Sequence, residues 1–180
     1  TEKETIWLEN TSQQIAFNHL SYSTTDRNVL AVKENGIDII KTPVYKPEES
    51  QEIIKTKVIL NEDNSIDLSS DFYYSNAQYD FNMPLVSLSK EDAKEALKGR
   101  YDHLKISNLE VNNINNDKDK AQLTYDAKFK VNDYSKKLGN DMFFRVLPLL
   151  ETSNINSNEE RMLPLSLSFS YQDIYETEFV

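Results

Sequence analysis

Residues 121–131, AQLTYDAKFKV, alternate without a break. Leu123, Tyr125, Ala127, Phe129 and Val131 fall on one side, and Thr124, Asp126, Lys128 and Lys130 on the other. A period of two belongs to an extended chain with one buried face, because a helix repeats every 3.6 residues. The same rhythm recurs over residues 51–72. Ile54, Thr56, Val58 and Leu60 share one face, with Lys55 and Lys57 opposite, and the return run sets Ile66, Leu68, Ser70 and Phe72 against Asp67 and Asp71. The two runs are joined by NEDN, so they read as a long hairpin with one wet face.

Around this pair the chain offers further short strands. TIWLE near the N-terminus is one, and NVLAVKENGIDIIKT reads as a hairpin turning at Asn35-Gly36, where both residue types tolerate positive φ. PVYKPEES comes next, as a linker stiffened by Pro43 and Pro47. HLKISNLEVNN, MFFRVLPLL, LPLSLSFSYQ and DIYETEFV complete the strand candidates, with INNDKDK, YSKKLGND and ETSNINSNEE as loops. DIYETEFV carries no stop signal, which suggests a piece of a longer protein. One helix is expected over about residues 90–101. Ser89 is its N-cap, Glu91 and Asp92 sit by its positive end, and Ala93, Ala96, Leu97 and Tyr101 form a narrow apolar stripe. The fold class is therefore mainly β: an antiparallel β-sandwich or a sheet layer with one α-helix.

Composition narrows the function. Thirty acids against 20 basic residues give a net charge of −10, which disfavours nucleic acid and anionic membrane surfaces as partners. No apolar run approaches the roughly 18 residues of a membrane helix, so no membrane insertion is expected. The absence of cysteine removes disulfides, thiolate metal sites and cysteine nucleophiles. The three glycines, Gly36, Gly99 and Gly139, are too far apart for a phosphate loop, a dinucleotide fingerprint or a nucleophile elbow. Nothing in the sequence calls for a cofactor.

Few residues remain for chemistry. His19 and His103 lack metal-ligand spacing and read as surface or partly buried polar residues. Asn115, Asp117 and Asp119 alternate as in a calcium loop, but the turn glycine and bidentate Glu are missing and lysines intervene, so no metal is expected. The aromatic stretch FYYSNAQYDF, residues 72–81, could stack on sugar rings. Tyr73, Tyr74 and Tyr79 are its candidate ligand-binding residues, although alternation on a strand sends Tyr73 and Tyr74 to opposite faces.

Trp7-Leu8-Glu9-Asn10-Thr11 resembles the last core strand of bacterial transglutaminase-like proteins, which reads like Trp-x-Asp-x-Thr. In that family the acid orients the histidine of a Cys-His-Asp triad. Glu9 stands at the position of the triad acid, where Asp is usual. The next residues are similar to the segment after the core in one bacterial subfamily: a Phe-containing turn, Asp26-Arg27-Asn28-Val29-Leu30, and a hairpin ending at Thr42-Pro43. The stretch IIKTKVILNEDNSIDLSSDFYYSN is similar to that subfamily's β-rich C-terminal domain of unknown function.

The resemblance implies that residues 1–45 hold the end of a transglutaminase-like core and a connecting hairpin, and that 46–180 form a β-rich accessory domain. It further implies that Cys and His of the triad lie outside this chain. His19, which comes after the acid strand, is on the wrong side to be the base. The chain would then be a non-catalytic module, periplasmic or at the cell surface, whose partner is the core of the same polypeptide. The alternative is a free-standing module that binds a glycan or peptide.

Overall fold

The computed structural model describes residues 5–151 and 169–180. The fold is mainly β. A five-stranded sheet runs in the order β5–β6–β4–β3–β9, where β3 is Gln51–Leu60, β4 Ile66–Ser75, β5 Lys105–Asp117, β6 Gln122–Asn132 and β9 Gln172–Phe179. Two hairpins stand outside it: β1 (Asn28–Lys33) with β2 (Gly36–Lys41), and β7 (Lys136–Leu138) with β8 (Asp141–Phe143).

The central strands arise from their alternation. Val58 pairs with Leu68, Leu68 with Phe129 and Phe129 with Leu109, so one row of apolar side chains crosses the sheet on one face. That face is covered by the helices α1 (Ala77–Asn82) and α2 (Lys90–Arg100), by the turn at Leu85 and by Leu149. The other face carries Lys55, Asp71, Asp126, Lys128 and Lys130 and stays in water, so the second sheet of a sandwich is not needed. Helix α2 begins as its sequence dictates: the Ser89 hydroxyl accepts the Asp92 N–H at 3.2 Å. Ala93, Leu97 and Tyr101 are buried, but Ala96 is exposed, because the sheet meets only a stripe one residue wide.

Several elements depart from the sequence reading. TIWLE is not a strand; among the described residues no strand pairs with it, and the Trp7 N–H donates to the Asn18 side chain instead. The stretch after Ser75 leaves the sheet as α1 rather than continuing extended. YSKKLGND and the start of MFFRVLPLL form the β7–β8 hairpin, turning at Gly139 with φ +65°, and residues 144–150 form no strand. β5 runs on to Asp117, with irregularities at Ile106/Asn108 and at Asn112/Asn115, the second of which contains Asn113 at φ +52°. β9 lies parallel to β3, with Gln51 opposite Gln172, in a sheet otherwise antiparallel. In β1–β2, Lys33 pairs with Gly36, so the turn residues are Glu34 and Asn35, and Gly36 takes φ +141° just after them. The strand expected over LPLSLSFSYQ lies outside the described residues up to Ser168.

Candidate functional site

The N-terminal segment is bolted to the sheet layer. Ala16 joins the core, the Tyr79 hydroxyl donates to the Gln14 carbonyl at 3.1 Å, and the Phe17 N–H donates to the Lys118 carbonyl. Glu9 sits in this segment without a histidine. Its oxygens accept from the Thr11 hydroxyl at 2.8 Å, the Thr11 N–H and the Thr24 hydroxyl at 3.1 Å. They therefore close a local loop.

His19 is engaged elsewhere. Its Nε2 lies 2.9 Å from Asp80 Oδ1 and its Nδ1 3.0 Å from the Tyr45 hydroxyl, and both His19 and Asp80 are buried. Asp80 also accepts the Tyr22 N–H at 2.8 Å, and the Tyr45 hydroxyl receives the Leu20 N–H. The order carboxylate–imidazole–hydroxyl is that of a nucleophilic triad. Here, however, the hydroxyl is a phenol already bonded to backbone, and burial pushes its pKa up from the ordinary value, which weakens it as a nucleophile. The trio ties three segments distant in sequence. No spacing rule joins His19 to Asp80, 61 positions away. His103 is also structural: its Nε2 meets the Pro148 carbonyl at 3.0 Å.

Tyr73, Tyr74 and Tyr79 do not share a surface. Tyr74 and Tyr79 are buried in the core, and Tyr73 is half-buried on the opposite, wet face. There it lines a shallow groove with Asp71, Thr124 and Asp126. The Asn115–Asp119 loop is internally satisfied. Asp117 pairs with Lys120 at 3.2 Å and accepts the Asp119 N–H. Among the described residues no three His, Cys, Asp or Glu side chains gather as metal ligands, and no helix is long and apolar enough to cross a membrane.

Two features escaped the sequence. The first is a charged cluster at the end of α2. The Arg100 guanidinium donates to Glu52 (2.8 Å), Asn82 (2.8 Å) and the Tyr74 hydroxyl (3.1 Å), and pairs with Glu151. Glu52 is buried and also accepts the Tyr175 hydroxyl at 2.7 Å. Burial works against the guanidinium charge, but the Tyr74 and Tyr101 phenols and the Glu52 and Glu151 carboxylates outweigh it, so the pKa moves up.

The second is the β1–β2 hairpin, whose composition was legible but whose exposure was not. Leu30 pairs with Ile39 and Val32 with Ile37, and all four side chains are between 65% and 81% exposed. Its base is clasped by Thr42, which accepts the Arg27 N–H at 2.9 Å and donates to the Thr24 carbonyl at 2.8 Å. The chain matches no protein-family model, no curated protein and no solved structure.

Proposed function

We propose that this chain is a non-catalytic accessory module of a transglutaminase-like protein and that hairpin β1–β2 is its docking element. The observation that carries the reading is the aliphatic face of Leu30, Val32, Ile37 and Ile39, held out in water. A two-stranded hairpin is marginal by itself, and a contiguous exposed apolar patch marks an interaction surface. The resemblance over residues 5–45 supplies the occupant: the transglutaminase-like core of the same polypeptide, at the cell envelope. Glu9, held by two threonines, acts in this chain as a loop-closing group.

The test is titration of the chain against that core domain by calorimetry. The wild-type chain is expected to bind, and Leu30→Ser with Ile39→Ser to weaken binding at least about tenfold. Equal binding by the double variant defeats the docking role. Amidase, peptidase and transamidase assays of the chain alone are expected to be blank, and turnover above background refutes the non-catalytic reading.

A further inference from the structure

The helical layer stops short of β9, and a cleft of about 660 Å³ opens there between α1, the end of α2 and the strand. One wall is aromatic. Phe81 stacks on Tyr22 at 4.4 Å and lies 5.2 Å from Phe169, which in turn lies 5.6 Å from Tyr171. Phe81 is 50% and Tyr171 42% exposed, so these rings offer faces to solvent rather than filling the core.

The other wall is acidic: Glu52, Glu151 and Asp173 line it against the single guanidinium of Arg100. Arg100 is shared by Glu52 and Glu151. Among the described residues Asp173 has no cation within ion-pair distance, and its only side-chain partner there is the Gln78 amide at 2.7 Å. Asp173 is exposed at the rim of the cleft, and its partial desolvation and the nearby Glu52 charge push its carboxyl up from the ordinary range.

We infer that this cleft binds an alkylammonium group, with Asp173 as its counter-ion and the exposed faces of Phe81 and Tyr171 packing on the cation and its methylenes. Aromatic faces attract cations, and a carboxylate in a partly desolvated site is stabilised by an opposite charge. A neutral sugar could also stack on such rings, but it would leave the excess negative charge of the cleft uncompensated. The ammonium could belong to a lysine side chain or to a free amine. This inference is independent of the docking role of β1–β2.

The experiment uses the full chain and NMR titration with Nα-acetyl-lysine N-methylamide, n-butylamine, the Nε-acetylated lysine analogue and maltotriose. The lysine probe is expected to shift the Phe81, Tyr171 and Asp173 amides, and Nε-acetylation to weaken binding at least about tenfold. Asp173→Asn is expected to do the same while leaving the fold intact, and Phe81→Leu provides a second variant that keeps apolar volume. Equal affinity for n-butylamine assigns the site to free amines, and tighter binding of the lysine probe assigns it to a side chain. No shift with either amine, binding unchanged in both variants, or maltotriose binding in place of the amines overturns the inference.

Discussion

Arg100 gathers Glu52, Tyr74, Asn82 and Glu151 around one guanidinium. Its side chain is about three-quarters buried and that of its partner Glu52 almost wholly so. Removing one member of a buried pair leaves the other charge without compensation, which costs far more than the pair contributes. Arg100→Ala is expected to destabilise the fold by about 3 kcal/mol or more in urea unfolding, and Glu52→Gln added to it to recover part of the loss. If Arg100→Ala leaves the midpoint unchanged, Glu52 is solvated and the cluster carries no such weight. None of this was legible in the sequence. Arg100 reads there as an ordinary basic residue in the last helical turn, and Glu52, although alternation sets it on the face of Ile54, carries no sign of its partner, because their meeting depends on tertiary packing. Backbone conformation was more readable. With only three glycines, the chain places Asn or Asp at most of its positive-φ positions, including Asn18, Asn64, Asn76 and Asp133, because their short polar side chains tolerate that region.

At the scale of elements, β3, β4, β6 and α2 were legible and α1, β7–β8 and the pairing of β9 were not. One-sided burial imposes a period of two over ten or eleven residues in each of the three strands, and a capping serine marks the helix. Helix α1 has six residues, too few to show a helical period, and its Tyr79 and Phe81 mimic a strand continuing from Phe72. The parallel partner of β9 has no local signal, since strand direction is set by the connection. The β1–β2 hairpin was visible from Asn35-Gly36, but its fate depends on Thr42. The Thr42 hydroxyl holds two segments that flank the hairpin, and the Thr42 N–H donates to the Arg27 carbonyl at 2.9 Å. Thr42→Val is expected to keep the sheet intact and loosen the clasp by about 1–2 kcal/mol, read as faster amide exchange in residues 28–41 alone. Exchange unchanged there, or raised equally in β4 and β6, contradicts the clasp.

Across the whole molecule, the core is rich in phenols. Burial, against the opposing charge of Arg100, pushes Tyr74 and Tyr101 well up from the ordinary tyrosine value and Tyr125 to about 12. The folded chain thus holds protons that the unfolded chain releases from about pH 10. Their contribution to stability is complete below about pH 10 and is lost as pH rises through the folded values. A titration of phenolate absorbance should therefore show an early group that ionises with the fold intact and a late group that appears only as circular dichroism is lost. A single transition for all ten tyrosines contradicts this. The parallel strand β9 has a consequence in time rather than in energy. Its first contact with β3 spans 121 positions, whereas β3, β4, β5 and β6 pair with nearer segments. Closing so long a loop is slow. During synthesis a four-stranded intermediate would form first, with Glu52 still lacking its Tyr175 bond, and only the arrival of β9 would cover the free edge of β3.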